Sequence, residues 1–225
     1  VSKDLNVGSI GYSYGGGFQL PLAALDPRIK TLVPNGTWND LLYSLLPGDA
    51  VKLSFDGLLC LSATRATRSD PLPGVHNTPL VASFCNTVGV QGPLAMTMRT
   101  RTDLQNELTL PTTLPRPVST AEINPFFFDH SMAYFQQQQV AGQPWGFGET
   151  QAKLRSVPVL FLQGNRDNLF NLNDAYWNYN YFAGTGADVR LLTTEGGHMN
   201  PLANQLEGPA NCGQVLGVNA ILAWF

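Results

Sequence analysis

Charged residues are scarce in this chain. Lys, Arg, Asp and Glu together make up 13% of its 225 residues, whereas about 25% is usual for soluble domains. The formal net charge is −3 and the sequence contains no stripe of Lys and Arg, so nucleic acid is not expected as a partner. Asn, Gln, Ser and Thr must supply much of the polar surface, which favours a secreted or cell-envelope protein over a cytoplasmic one.

Cysteines and long apolar runs are also scarce. The three cysteines, Cys60, Cys85 and Cys212, form no Cys-x-x-Cys pair, which argues against a zinc or thioredoxin-type site. A disulfide between Cys60 and Cys85 and a set of buried free thiols both stay open. No apolar stretch reaches the ~20 residues of a membrane helix, and no signal peptide is recognisable. Because the chain does not begin with Met, we expect it to be part of a longer protein.

Strand patterns occur towards both ends of the chain. An apolar run that ends near Ser13 is followed by helical spacing and then by a second run, Ile29–Val33, and this succession predicts a βαβ unit. Strand patterns return at Val157–Gly164 and at Ala187–Gly197. The sequence therefore predicts an α/β fold with a parallel sheet.

The middle of the chain has a different character. Residues 36–150 are rich in Pro, Thr, Asn and Gln, and their apolar positions have helical rather than strand spacing. We predict that residues 1–35 and 151–225 form the α/β core and that residues 36–150 form a mostly helical cap inserted between two strands.

Residues 11–15 read Gly-Tyr-Ser-Tyr-Gly, a match to the G-x-S-x-G motif of nucleophilic serines. The motif stands where a predicted strand must turn sharply into a helix, and glycines there remove side chains that would collide. Such a turn holds the Ser13 hydroxyl above the sheet edge, and the next backbone N–H faces a developing oxyanion. The alternative is a structural serine in a glycine-rich loop. A phosphate-binding loop is not indicated, because the dinucleotide and Walker A spacings are absent.

A nucleophilic serine requires a base, and a neutral imidazole is the usual one. The chain has three histidines, His76, His130 and His198. His198 follows a predicted strand on a loop beside glycines, whereas the other two lie in the predicted cap. The sequence therefore favours His198 as the base.

A carboxylate is needed to orient that imidazole. Asp167 follows the strand Val157–Gly164, and residues after the carboxyl ends of parallel strands line the active-site crevice. Asp174 is a rival, but it falls in the next predicted helix, at its surface or in its first turn. Asp188 opens the next strand, at the opposite end of the sheet. The order Ser13, Asp167, His198 is that of the α/β-hydrolases.

These segments resemble the S15 group of α/β-hydrolases, which contains X-Pro dipeptidyl-peptidases and cocaine-esterase-like enzymes. Residues 5–47, with "GYSYGGGFQLPLAALDPRI", and residues 155–225, with "EGGHM", carry the resemblance. It implies the C-terminal part of an α/β-hydrolase fold, with helices on both faces of a parallel sheet and a helical cap between its sixth and seventh strands. The N-terminal half of the same fold would then be a partner of this chain, and its absence would leave the first strand with an unpaired edge.

The resemblance also implies roles for single residues. Ser13 would be the nucleophile, His198 the base and Asp167 the acid, while Tyr14 would offer its backbone N–H to the oxyanion. The expected substrate is a small ester or peptide. No metal or organic cofactor is implied, since three scattered histidines give no ligand set.

Three questions stay open at this stage. The first is whether the substrate is an ester or an Xaa-Pro peptide. The second is whether Trp38, Phe127 and Trp145 bind the substrate or form the core of the cap. The third is whether the chain is a non-catalytic, hydrolase-like binding module instead of an enzyme.

Overall fold

The structure is a computed structural model that describes residues 6–45, 47, 52, 55, 59, 130–141, 153–198 and 217–225. The chain divides into two compact units, of which the first joins Val1–Ser44 to Phe128–Phe225 and the second is Leu45–Phe127. The second unit contains only a few of the described residues. The predicted cap, residues 36–150, therefore stays a prediction, and Cys60, Cys85 and Cys212 lie outside the described residues.

Four strands and six helices follow one another along the described chain. In order they are β1 (Val7–Tyr12), α1 (Tyr14–Gly17), α2 (Gln19–Leu25), β2 (Ile29–Asn35), α3 (Leu41–Leu45), α4 (Met132–Ala141), β3 (Val159–Gly164), α5 (Leu172–Ala183), β4 (Val189–Thr194) and α6 (Gly217–Trp224).

The four strands form one sheet in the order β1-β2-β3-β4. Every neighbouring pair is parallel, with Ile10 opposite Val33 between β1 and β2 and Leu162 opposite Leu192 between β3 and β4. The predicted α/β class with a parallel sheet is confirmed. In the described sheet β1 and β4 are the two edges, and the side chain of Ile10 on β1 is exposed.

Helices cover both faces of this sheet. Successive residues of a strand point to opposite faces. Leu32, Val159 and Phe161 pack in one core with residues of α2, α4 and α5. Their neighbours Val33, Leu160 and Leu162 pack on the other side against α6. Burial on both faces explains why β3 is a continuous apolar run.

The βαβ unit predicted at the start of the chain is confirmed, with one difference. The helical pattern after Ser13 forms two short helices, α1 and α2, which meet at Phe18. None of the helices in the described ranges is long and apolar enough to cross a membrane.

Candidate active site

Ser13 lies on a strained turn between β1 and α1. Its backbone has φ 54° and ψ −118°, and Ser13 is the one non-glycine residue with positive φ in the described chain. A side chain in this region costs on the order of 1–2 kcal/mol. Three hydrogen bonds hold the turn. The Ser13 N–H donates to the Asn35 carbonyl at 2.8 Å, and the Ser13 carbonyl accepts from the N–H groups of Gly16 at 2.9 Å and Gly17 at 3.0 Å. The side chain therefore stands clear of the sheet edge.

Close packing explains some of the glycines around this turn and not others. A Cβ added at Gly11 would lie 2.2 Å from the Gly15 carbonyl oxygen, and one at Gly17 would lie 2.4 Å from the Trp38 ring. A Cβ at Gly15, in contrast, would meet nothing within 4 Å. The expectation that the motif glycines avoid collisions is correct for Gly11, where a side chain would collide with the Gly15 carbonyl oxygen. It is wrong for Gly15, where a side chain would have room.

Asp167 lies on the turn that follows β3, where one of its oxygens is held by the backbone. Asp167 Oδ1 accepts the N–H groups of Leu169 at 3.0 Å and Phe170 at 2.9 Å. The side chain is buried. These two hydrogen bonds fix the rotation of the carboxyl group and leave Oδ2 facing His198.

His198 follows β4, which is the edge of the described sheet opposite to β1. Three strand spacings of ~4.8 Å separate these edges, so the segment after β4 must run back over the ends of neighbouring strands to bring the imidazole to Ser13. The Arg166 N–H donates to the Gly196 carbonyl at 3.0 Å and ties this loop to the one after β3. A Cβ on Gly164 would lie 2.1 Å from the same carbonyl oxygen, which explains the glycine at the end of β3.

The structure brings the three predicted side chains into one hydrogen-bonded chain. Ser13 Oγ lies 2.8 Å from His198 Nε2, and His198 Nδ1 lies 2.8 Å from Asp167 Oδ2. An ionised carboxylate can only accept a hydrogen bond, so Nδ1 carries the imidazole proton. Nε2 then carries the lone pair that accepts the Ser13 hydroxyl proton. This arrangement can raise the nucleophilicity of the serine.

Aromatic rings surround these side chains. Phe170 meets the His198 imidazole edge to face, with centroids 4.9 Å apart. Trp38 packs on Phe170 at 5.2 Å and on Tyr14 at 6.1 Å, and its Nε1–H donates to the His130 carbonyl at 2.8 Å. The Trp38 indole is buried. Of the predicted substrate-binding residues, Phe127 and Trp145 lie outside the described part of the chain.

Asp174 was predicted as a surface or first-turn residue, and the structure places it in the first turn of α5. The residue is fully buried. Its Oδ1 accepts the Asn39 N–H at 2.9 Å and the Asp40 N–H at 3.3 Å. Its Oδ2 lies 2.9 Å from Ser44 Oγ. Asp174 thereby fixes the start of α3 and takes no part in the contacts of His198 given above. Asp188 does precede β4, as expected, and pairs with Arg190 at the surface.

Burial raises the pKa of Asp174 to about 6, although hydrogen bonds from Asn39, Ser44 and Asp40 act in the opposite direction. The Ser44 hydroxyl also lies 2.9 Å from the Asp40 carbonyl oxygen. The single hydroxyl proton of Ser44 cannot be donated to both the Asp40 carbonyl oxygen and Asp174 Oδ2. If Asp174 is protonated, both hydrogen bonds can form, because Asp174 then donates to Ser44 Oγ while Ser44 donates to the Asp40 carbonyl.

We expect Asp174→Asn to change how stability depends on pH. The unfolded carboxyl group titrates near 3.9, so the wild-type folded state binds more protons than the unfolded state between about pH 4 and pH 6. This contribution to stability is fully present below pH 4 and is lost as pH rises through about 6. Asparagine keeps the neutral pattern at every pH.

Urea unfolding at pH 4 and pH 7 measures the effect. The unfolding free energy of Asp174→Asn minus that of wild type should rise by roughly 2–3 kcal/mol between the two pH values. Taking the difference between the proteins cancels the other titrating groups. If the difference between the two unfolding free energies were the same at pH 4 and pH 7, Asp174 would be ionised in the folded protein as it is in the unfolded one.

Gly36, at the end of β2, makes room for the site. Its φ is +53°, and a Cβ there would lie 3.0 Å from the Tyr12 ring and 3.3 Å from Asp167 Oδ2. Gly186 is a matched control, because its φ is +78° while a Cβ would meet nothing within 4 Å. We expect Gly186→Ala to lower the free energy of unfolding by about 1 kcal/mol from backbone strain alone.

Gly36→Ala should cost about 1–3 kcal/mol more than Gly186→Ala, because it adds crowding to the same strain. It should also slow the reaction of Ser13 with a fluorophosphonate, whereas Gly186→Ala should not. Chemical denaturation and labelling rates measured on both variants test this. An equal loss of unfolding free energy in the two variants would contradict this prediction, because it would mean that Tyr12 and Asp167 move aside without cost.

Several residues at the site were not identified from the sequence. Tyr12, Gly36 and Phe170 all contact or crowd the three side chains. Of these, only Tyr12 could have been found from the sequence, because it lies within the G-x-S-x-G motif directly before Ser13. Within the ranges that the structure covers, no three His, Cys, Asp or Glu side chains come together in a group that could hold a metal ion.

A protein-family model matches most of the chain. The model of the X-Pro dipeptidyl-peptidase (S15) family matches residues 3–200. No curated protein sequence matches.

Among solved structures, an acylaminoacyl peptidase from Pyrococcus horikoshii is 12% identical with a TM-score of 0.40, over 90% of this chain and 21% of that one. An esterase from Pyrococcus furiosus is 12% identical with a TM-score of 0.37, over 90% of this chain and 47% of that one. An alpha/beta fold family hydrolase from Bacillus anthracis is 14% identical with a TM-score of 0.40, over 90% of this chain and 64% of that one. The chain thus spans about a fifth of the length of the peptidase, and similarity at this level says nothing about its activity.

Proposed function

Because the chain belongs to the S15 family of peptidases, we propose that it is a serine hydrolase that cleaves an ester or amide bond through an acyl-enzyme. In this proposal Ser13 is the nucleophile, His198 the general base and Asp167 the residue that orients the imidazole. The observation that carries it is the hydrogen-bonded chain from Ser13 Oγ through His198 to Asp167, with 2.8 Å at both steps.

The geometry supports each proton transfer of the first half-reaction. As Ser13 Oγ attacks the substrate carbonyl carbon, its proton moves to His198 Nε2, and Asp167 stabilises the imidazolium through Nδ1. Tyr14 is the first residue of α1, so its N–H is one of the donors at a helix start that lack an intrahelical partner. We assign it to the oxyanion. When the tetrahedral intermediate collapses, Nε2 returns the proton to the leaving alcohol or amine and the acyl group stays on Oγ.

The second half-reaction reverses these roles with water. A water molecule attacks the acyl carbon while it gives a proton to His198 Nε2. The bond between the acyl carbon and Ser13 Oγ then breaks, Oγ takes the proton from Nε2, and the carboxylic acid leaves. Burial of His198 and Asp167 strengthens the interaction between them, because water screens it less.

Two substrate classes fit this chemistry. An acyl esterase releases an alcohol, whereas an Xaa-Pro dipeptidyl-peptidase releases an amine after proline. The family description favours the peptidase. The aromatic group of Trp38, Phe170 and Tyr14 beside the serine suits an apolar acyl group and is compatible with either class.

Parallel assays of the protein expressed from its complete reading frame decide between them. A p-nitrophenyl ester and an alanyl-prolyl anilide should be offered under the same conditions. Rapid hydrolysis of the anilide assigns the peptidase, and hydrolysis of the ester alone assigns the esterase. Turnover of neither substrate, in folded protein that also fails to react with a fluorophosphonate, would contradict the proposal and favour a non-catalytic binding module.

A further inference from the structure

Tyr12 connects the strand that carries the nucleophile to the loop that carries the base. Its hydroxyl donates to the backbone carbonyl of His198. Its ring also stacks on the His198 imidazole, with centroids 5.1 Å apart and planes 26° apart. One side chain therefore holds both the main chain and the ring of the proposed base.

The place of Tyr12 in the sheet explains why such a connection matters. Tyr12 is the last residue of β1, and Ser13 follows it directly. The segment that leads to His198 leaves β4, on the opposite edge of the described sheet. The hydroxyl of Tyr12 contacts this segment at His198 and so links the backbone beside the serine to the backbone of the histidine.

The surroundings of Tyr12 keep its ring in place and its hydroxyl protonated. The absence of a side chain at Gly36 leaves space for the ring, since a Cβ there would lie 3.0 Å from it. Although 38% of the Tyr12 surface is exposed, partial burial raises the pKa of Tyr12 to about 12, and the nearby negative charge of Asp167 adds to this. The hydroxyl is thus a donor throughout the neutral pH range.

We propose that Tyr12 is a positioning residue that sets the distance and angle between His198 and Ser13. The hydroxyl holds the backbone at His198, and the ring stacks on the imidazole. Phe170 also contacts the imidazole, with the two ring planes at 90°. These two rings and the hydrogen bonds to Asp167 and Ser13 together restrict rotation of the His198 side chain. This inference rests on the proposed function for its kinetic consequences, but not for its geometry.

Two substitutions separate the contributions of the hydroxyl and the ring. Tyr12→Phe removes only the donor to the His198 carbonyl, whereas Tyr12→Leu also removes the aromatic face. Tyr176→Phe is the control, because Tyr176 is an exposed tyrosine on α5. With the p-nitrophenyl ester we expect kcat to fall about 3- to 10-fold in Tyr12→Phe. In Tyr12→Leu it should fall about 10- to 100-fold.

The split between kcat and KM identifies a positioning role. KM should change less than roughly two-fold in both variants, since an interaction that acts only in the transition state lowers kcat and kcat/KM together. Tyr176→Phe should match wild type in both parameters. Wild-type kcat in Tyr12→Phe and Tyr12→Leu, in an enzyme that hydrolyses the ester, would overturn the inference and leave the proposed function standing.

A spectroscopic measurement tests the geometry without relying on activity. The ring protons of His198, assigned by their loss in His198→Gln, should resonate upfield because they lie against the Tyr12 ring. They should move downfield in Tyr12→Leu and stay nearly unchanged in Tyr12→Phe and Tyr176→Phe. Resonances that do not move in Tyr12→Leu would overturn the inference whether or not the protein hydrolyses the ester. An inactive wild type that shows the expected shift would contradict only the proposed function.

Discussion

Replacing Ser13 by alanine is expected to lower kcat for the preferred substrate by about 10⁴- to 10⁶-fold. The substitution removes Oγ, which lies 2.8 Å from His198 Nε2, and with it the atom that would form the acyl-enzyme. The fold should be retained, because the backbone hydrogen bonds of the turn use the N–H and carbonyl of Ser13. Alanine at φ 54° meets the same strain as serine.

Steady-state kinetics and thermal unfolding together measure this effect. Ser156→Ala is the matched control, since Ser156 is exposed and precedes β3, and it should keep wild-type kcat. The melting temperature of Ser13→Ala should stay within about 4 °C of wild type. Activity above one hundredth of wild type in Ser13→Ala would show that another group attacks the substrate.

The second large effect is expected from Asp167→Asn, which should lower kcat by about 10⁴-fold. The amide oxygen can still accept from Leu169 and Phe170, so the turn after β3 is preserved. The amide nitrogen, however, would then donate to His198 Nδ1. The imidazole proton is forced onto Nε2, which can no longer accept the proton of Ser13.

Asp188→Asn is the control for this substitution. Asp188 is an exposed carboxylate that pairs with Arg190 at the surface, and such a pair contributes little to stability. Its removal should leave kcat within roughly two-fold of wild type. If Asp167→Asn kept a tenth or more of wild-type kcat, Asp167 would serve to hold its turn and not to orient His198.

The sequence predicts the fold well where periodicity and position are sufficient. A continuous apolar run marked β3, because helices cover both faces of the sheet there. Shorter apolar stretches marked β1 and β2. The three side chains of the site could be found for a related reason. The carboxyl ends of parallel strands all lie at the same end of the sheet, so the residues that follow β1, β3 and β4 are brought to the same region.

Contacts between distant segments could not be predicted in this way. Sequence spacing predicts Asp174 at the surface or in the first turn of its helix, and only the first turn is correct. The residue is buried, and it accepts hydrogen bonds from the backbone N–H groups of Asn39 and Asp40, which lie about 135 residues away along the chain. Tyr12 was passed over because its partner, the His198 carbonyl, lies 186 residues away along the chain.

The most direct test of the account is the site of covalent reaction with a fluorophosphonate. The protein from its complete reading frame should be labelled, digested and analysed by mass spectrometry. The account predicts a single adduct on the peptide that contains Ser13, formed in wild type and lost in Ser13→Ala. An adduct on a different serine, or none in folded protein, would contradict it.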